Sequence, residues 1–447
     1  MILGVWLNAA DTLVTATVMP SVARDLGGYA YFGWAVAGYL LGSILAGASA
    51  GQLSQRLGLR AAAILAAVAY AGGCALSAAA PDIGLFLAGR LLQGVGAGWI
   101  VGFCYVAIGV VFPERLWTRM FGAAAGVWGV ASFLGPLVGG LFAAAGAWRG
   151  AFWFFAAQGV IFAAAALNLL AAARSGREPR RPLAWRTLSV LALAILAVAA
   201  ADIAPGDLWP VVLVVAGLAL LALAGRVNAA PAERLLPRDA ARPATTAGAG
   251  YGMIFAMSAA TAVFGVYEAA ILQAAYGLSP LAAGYVIAVE ALAWTATALL
   301  VSGQPCRRHG VFILVGASAI TAGVALLAAS IASGRLWLIV AGGAMIGAGF
   351  GLAWSLATGR ILAALPAADR AIGASAVPTA QLAGGAVGAA AAGAIANLLG
   401  LAHAFTPARA LADAPYLFAA FIPVAILGWL AGLRLARAPG EDRIGEG

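Results

Sequence analysis

The stretch Gly51-Gln52-Leu53-Ser54-Gln55-Arg56-Leu57-Gly58 has an echo in Gly303-Gln304-Pro305-Cys306-Arg307-Arg308-His309-Gly310, where glycine, glutamine, arginine and glycine recur 252 residues later. Arg119-Met120-Phe121-Gly122 returns as Arg370-Ala371-Ile372-Gly373 at an offset of 251. Two matches at nearly one offset indicate duplicated halves.

Both echoes lie between long apolar runs. The chain has 447 residues, of which 64% are hydrophobic and only 9% charged, and its mean hydropathy is +0.99. No soluble core needs that much apolar sequence, so the chain is expected to be a polytopic membrane protein. The runs are continuous and not alternating, which favours an all-α bundle over a β-barrel. The 59 glycines suit helices that pack closely through small residues.

Runs of about 20 residues give spans near 2–20, 33–53, 61–79, 84–111, 119–143, 150–172, 187–203, 208–226, 246–274, 281–302, 311–331, 336–363, 370–398 and 415–435, fourteen in all. The first has no basic leader and no small-residue cleavage site, so it is expected to be a retained span. All 25 basic residues are arginine. With the N-terminus in the cytoplasm, 20 of them fall on the inner side and four on the outer, with Arg90 inside a span. This asymmetry follows the positive-inside rule, and both termini are assigned to the cytoplasmic face of the inner membrane.

The organisation is expected to be six plus two plus six. Residues 1–172 form an N-terminal six-helix bundle, and 173–245 carry cytoplasmic loops and two inserted spans. Residues 246–436 form the second six-helix bundle and 437–447 a cytoplasmic tail. Repeated halves around a midplane cavity are a common device for alternating access.

Asp11 stands in the middle of the first span. Placing an acid at a bilayer centre costs roughly 2.5–3.5 kcal/mol on insertion scales, so such residues usually face a protein interior and serve a pathway. At about 1.5 Å per residue, Asp11 lies about 13 Å below Pro20, and Arg90 about 12 Å below Asp82. Glu268 and Glu290 fall about 12 and 13 Å from the outer ends of spans 9 and 10. These four are the candidate proton-coupling residues. Two assignments stay open: Glu268 or Glu290 carries the proton while Asp11 and Arg90 gate, or Asp11 carries it.

At the level of motifs the chain resembles the major facilitator superfamily, specifically its fourteen-span drug:proton antiporter branch. Asp11 through Pro20 is similar to the first-span signature of that branch, an acid followed nine residues later by proline. Gly51, Arg56, Gly58 and Arg60 match the loop 2–3 signature, and Arg90, Gln93 and Gly94 match that of span 4. Gly122, Gly135, Pro136, Gly139 and Gly140 match the span 5 signature of exporters, with Ala131 in place of a further glycine. The resemblance implies a major facilitator fold with two inserted helices, and an export function in which these residues gate or kink. The chain departs from the pattern at Gln55, normally an acid, and at Leu59, normally basic. That puts an ionic latch from the loop 2–3 acid in doubt. Arg56 and Arg60 then fit either a gate or simple topology charges.

Trp294, Trp128, Gln158, Tyr267, Gln273 and Trp354 are candidate substrate-binding residues, since aromatics with a few polar groups suit amphipathic ligands. Trp6 and Trp99 also lie in spans. Acids facing a cavity favour cationic or weakly basic lipophilic compounds. Cys74, Cys104 and Cys306 have no paired spacing and read as packing residues, so neither a disulfide nor a metal site is expected. His309 and His403 fall in loops. No P-loop, zincin helix or Ser/His constellation is present, which leaves ATP-driven transport and hydrolysis without support. The expected protein is therefore a secondary transporter and no enzyme. It would need no cofactor beyond the coupling proton, and its partners would be a small-molecule substrate and membrane lipids. Nucleic acid is not a partner, and a monomer is expected. A lipid or lipid-precursor flippase is the alternative, and a non-transporting receptor a further one.

Overall fold

The computed structural model describes residues 1–26, 32–170, 184–201, 204, 206, 208–230, 234–278, 280–399 and 407–438. Loop 173–183, His403, the tail from 439 and the side chains of Arg24, Pro136 and Cys306 lie outside the described residues. Among the described residues there is no strand.

The helices are α1 (Ile2–Leu26), α2 (Phe32–Leu57), α3 (Leu59–Ala79), α4 (Ile83–Val111), α5 (Glu114–Ala144), α6 (Trp148–Leu169), α7 (Trp185–Ala200) and α8 (Leu208–Val227). They continue with α9 (Thr246–Tyr276), α10 (Pro280–Val301), α11 (His309–Ser330), α12 (Leu336–Ala363), α13 (Arg370–Leu398), α14 (Pro407–Ala419) and α15 (Ile422–Arg437). Among the described residues, twelve helical spans are long and apolar enough to cross a membrane. α2, with 26 residues, and the short apolar stretch of α7 are not among the twelve.

The last expected span, 415–435, differs: it is split into α14 and α15. Pro423 near the start of α15 has no N–H to donate, so the helical ladder breaks at Ala420 and Phe421. The whole stretch Leu411–Arg437 remains long and apolar enough to cross.

Helix ends are set locally. The Asp82 side chain accepts from the Leu85 amide at 2.9 Å to open α4, and the Thr245 hydroxyl accepts from the Gly248 amide at 3.1 Å to open α9. Gly58, with φ 79°, makes the turn between α2 and α3, which a side chain would strain.

Two main cores result. One is drawn mostly from α1 to α6 and centres on Tyr70, Phe86, Phe152 and Phe155, with Phe86 edge-on to Phe152 at 5.4 Å. The other, drawn mostly from α9 to α15, includes Phe264 and Phe418, with ring centroids 4.7 Å apart. α7 and α8 form a hairpin beside them. Leu191 and Ile195 of α7 pack with Ile44 and Ala48 of α2, and Leu382 and Ala386 of α13 close the same cluster. The hairpin thus touches both halves.

At the end opposite the arginine-rich loops, Asp25 accepts from the Arg149 guanidinium and from the Trp148 indole at 3.1 Å. The hydrogen bond from Arg149, then that from Trp148, holds the Asp25 carboxyl below its ordinary value. A lowered carboxyl contributes fully above the unfolded value of about 3.9 and loses its contribution as pH falls through its folded value. Melting curves of wild type and Asp25→Asn should therefore differ near neutral pH and converge in acid. A gap that widens in acid would contradict this.

The span 4 glycines have a packing reason. A methyl group on Gly94 would overlap the carbonyl oxygen of Tyr39, and one on Gly98 that of Ser43, so α4 lies directly on the α2 backbone. Gly126 of α5 has nothing within 4 Å of such a group. Gly94→Val should cost about 1–3 kcal/mol through forced overlap, lowering the melting temperature in detergent, whereas Gly126→Ala should leave it unchanged. Equal melting temperatures for wild type and Gly94→Val would contradict this packing.

Candidate functional site

Asp11, Thr15, Arg90 and Gln93 are buried together where α1 faces α4, with Asp11 and Gln93 at 0% exposure and Arg90 at 2%. Arg90 Nη1 stands 3.4 and 3.5 Å from the two carboxylate oxygens of Asp11 and donates at 2.8 Å to Gln93 Oε1. Gln93 Nε2 donates at 2.8 Å to Asp11 Oδ1, and the Thr15 hydroxyl donates to the same oxygen at 3.1 Å. Gln93 therefore bridges the ion pair, offering its carbonyl to the cation and its amide to the anion. Arg90 Nε reaches the Ala35 carbonyl at 3.4 Å, and the guanidinium lies 4.4 Å from the Tyr39 ring centroid. Tyr39 donates to Asn8 Oδ1 at 2.7 Å, one helical turn before Asp11.

The spacing accounts for this local arrangement. Asn8, Asp11 and Thr15 recur at three and four residues, which puts them on one face of α1. Arg90 and Gln93 stand three apart on α4. An opposite charge together with hydrogen bonds from neighbouring side chains makes a buried charge tolerable.

Glu268 of α9 is 4% exposed, and Glu290 of α10 is half-buried. Among the described residues neither carboxyl has a hydrogen bond or an ion pair, and no salt bridge joins them to Asp11 and Arg90. α10 is pressed against α12 here, since any side chain at Gly347 would overlap the Glu290 carbonyl oxygen.

An aromatic group stands beside Glu290. Trp294 stacks on Phe350 with centroids 4.7 Å apart and planes at 11°, and lies 5.7 Å from Trp354. Trp354 Nε1 donates to the Tyr105 hydroxyl at 3.4 Å, and the Tyr105 ring lies 5.2 Å from Phe121, so the group runs from α10 and α12 into α4 and α5. The indole nitrogen of Trp294 is buried with no protein partner. Tyr267 is half-buried on α9. The other candidates lie apart: Gln158 accepts from Trp6 at 2.8 Å across α1 and α6, Trp128 is 40% exposed, and Gln273 is exposed.

The span 5 glycines have different neighbours. Positions 135 and 139 press on Leu13 and Thr17 of α1, which ties α5 to the helix that carries Asp11, while Gly140 faces open space. Pro136 belongs to α5. Gly51 lies against Ile372, Ala371 and Ser375 of α13. Arg56 and Arg60 are exposed. Nearby, Arg370 Nη2 meets Glu114 Oε1 at 2.7 Å, its guanidinium 5.4 Å from the Trp117 ring, so an ion pair joins the openings of α5 and α13. The doubtful latch from position 55 thus has a counterpart from Glu114. Reading the sequence missed Glu114, Phe350 and Tyr105. The polar spacing of Asn8, Asp11 and Thr15 was a usable signal, whereas Phe350 had none.

The fold and this buried polar cluster define a helical polytopic membrane protein built to hold charge inside an apolar body. The family model of the Major Facilitator Superfamily matches residues 1–248. The chain belongs to that superfamily, and with it to the membrane transporters, not to the enzymes. It is 30% identical over 407 residues to a probable multidrug-efflux transporter of Mycobacterium tuberculosis, covering 88% of this chain and 86% of the relative. A multidrug transporter protein of Bacillus subtilis is 27% identical over 183 residues, 41% of this chain and 33% of that protein. Among solved structures, the proton:xylose symporter XylE superposes with a TM-score of 0.69 at 16% identity, covering 98% and 94% of the two chains. The human organic anion transporter MFSD10 superposes with 0.65 at 14% identity, covering 96% and 97%. These two likenesses concern the fold.

A double-mutant cycle on Asp11→Asn and Arg90→Gln tests the buried pair. Thermal unfolding in detergent should show a coupling of about 0.5–3 kcal/mol between the two substitutions. Strictly additive losses would mean that the pair does not act as a unit.

Proposed function

We propose that the chain is a proton-coupled exporter of lipophilic, cationic or weakly basic small molecules, of the fourteen-span drug:proton antiporter branch. The observation that carries the reading is the contrast between the two acid sites. Asp11 has its acceptor capacity taken up by Arg90, Gln93 and Thr15, whereas Glu268 and Glu290 have no hydrogen bond or ion pair among the described residues. A carboxyl with no fixed donor is free to take up a proton in one access state and release it in the other. Glu268 and Glu290 are thus assigned to the proton, and Asp11 with Arg90 and Gln93 to gating.

Residues 1–172 and 246–436 are taken as the two rocking bundles, joined at the arginine-rich end, taken as cytoplasmic, by Glu114–Arg370 and the contact of Gly51 with α13. Trp294, Phe350 and Trp354 would supply an aromatic wall within one turn of Glu290. The buried Trp294 Nε1, with no hydrogen-bond partner among the described residues, would supply a donor. The probable multidrug-efflux transporter of Mycobacterium tuberculosis supports the direction of transport. Membrane lipids, a monomeric state and a cytoplasmic-membrane location with both termini inside complete the reading.

In proteoliposomes with an imposed pH gradient, Glu268→Gln and Glu290→Gln should each abolish uphill movement of a lipophilic cationic dye, a loss of tenfold or more. Downhill counterflow should be retained. Asp11→Asn should slow both modes together. If all three variants drive uphill export at the wild-type rate, the assignment fails.

A further inference from the structure

Between Trp6 and Thr17, the side-chain donors of α1 are spent on nearby acceptors, with one exception. Trp6 Nε1 donates to Gln158 Oε1 at 2.8 Å, the Thr12 hydroxyl to the Asn8 carbonyl at 2.9 Å, the Thr15 hydroxyl to Asp11 Oδ1 at 3.1 Å and the Thr17 hydroxyl to the Leu13 carbonyl at 2.9 Å. Asn8 is the exception. Its Oδ1 accepts from the Tyr39 hydroxyl at 2.7 Å, while its amide nitrogen donates to nothing among the described residues. The side chain is half-buried, so the amide is accessible.

Spacing along the helix gives the direction of that opening. Met1, Asn8 and Thr12 stand seven and four residues apart, on one stripe of α1. Met1 packs against the cores of both halves, so the stripe faces the seam between them. The other side of α1 rests on α5 through Leu13 and Thr17, and Asp11 turns to Arg90 and Gln93 of α4. Tyr39 fixes the carboxamide: with Oδ1 held by the hydroxyl, the two N–H groups turn away from Tyr39. A donor without an acceptor is costly in an apolar body. One that borders the seam between two moving halves suits an acceptor carried in by a ligand.

We propose, resting on the exporter reading above, that the Asn8 amide donates a hydrogen bond to the transported molecule, and that this position selects lipophilic cations that also carry a carbonyl or ether acceptor. A molecule held there sits one turn from Asp11 without competing for the donors of Arg90, Gln93 and Thr15. The Tyr39 ring that orients the amide also lies 4.4 Å from the Arg90 guanidinium, so the selecting residue is seated on the same wall as the buried pair.

Equilibrium dialysis of the detergent-purified protein against two lipophilic cations tests this: rhodamine 6G, whose ester and ring oxygens accept hydrogen bonds, and tetraphenylphosphonium, which has no acceptor. Wild type should bind both. Asn8→Ala should lower the ratio of the rhodamine 6G affinity to the tetraphenylphosphonium affinity about tenfold, the scale of one net hydrogen bond. Asn8→Ser, with a shorter donor, should fall between. Tyr39→Phe removes the same side-chain bond but keeps the amide, and should keep the ratio. If Asn8→Ala and Asn8→Ser leave the ratio at its wild-type value, or if Tyr39→Phe lowers it as much, the amide does not touch the ligand and this assignment falls while the exporter reading stands. If wild type binds neither cation, both fall. Dialysis uses no pH gradient, so a failure of the Glu268 and Glu290 assignment in proteoliposomes leaves the ratio untouched. Retained tetraphenylphosphonium binding shows that each variant is folded.

Discussion

In a hydrocarbon environment an unpartnered polar group costs several kcal/mol, because no water replaces a lost partner. The arrangement of α1 and α4 follows from that constraint. Asp11 enters the membrane interior with a cation at 3.4 Å, two further donors, and no exposed surface. Arg90 is in turn held by Gln93, the Ala35 carbonyl and the face of Tyr39. The contacts with Ala35 and Tyr39 require α2 and α4 to approach closely, and Gly94 and Gly98 make that approach possible. The charge network and the small-residue seam are two halves of one solution: the seam brings the helices near, and the network gives the nearness a single register.

The same logic extends to α5. Its glycines at 135 and 139 seat it on Leu13 and Thr17, next to the polar face of α1. A motion of α5 against α1 is therefore felt within one turn of Asp11. Further along, α5 meets α10 through Gly129 and Thr295, beside Trp294 and one turn from Glu290. One helix thus contacts the neighbourhoods of both acid sites, which are not joined by any salt bridge among the described residues. On the proposed reading, rocking of the halves, and not a continuous chain of charges, links the two sites.

Much of the fold was legible because membrane helices are written in composition. Apolar runs set the helices, and the depth of Asp11 and Arg90 along them anticipated their pairing. The echo of Arg119 at Arg370 pointed to the helix openings where an inter-half ion pair lies, but not to Glu114, five residues before Arg119. Side-chain partners across helices depend on rotation about the helix axis, which spacing alone leaves open. For that reason Gln93 read as a motif residue while its bridging role between Asp11 and Arg90 was invisible, and Gln158, grouped with Trp294, is bonded to Trp6 instead. The split into α14 and α15 was missed for a different reason. Apolar content does not register the backbone donor that Pro423 lacks.

The halves echo each other in sequence yet differ in how they treat charge. The N-terminal half carries an acid held by Arg90, Gln93 and Thr15. The C-terminal half carries two acids, Glu268 and Glu290, that have no salt bridge among the described residues. Two ionised carboxylates in that setting would repel each other in a medium that screens weakly. Protonation of one of them removes the repulsion. On the proposed reading, a scaffold that pairs its acid in one half and leaves its acids without a described partner in the other binds and exchanges its proton in the second. On the proposed reading, that asymmetry, more than any single residue, is what lets a pH gradient do work on the chain.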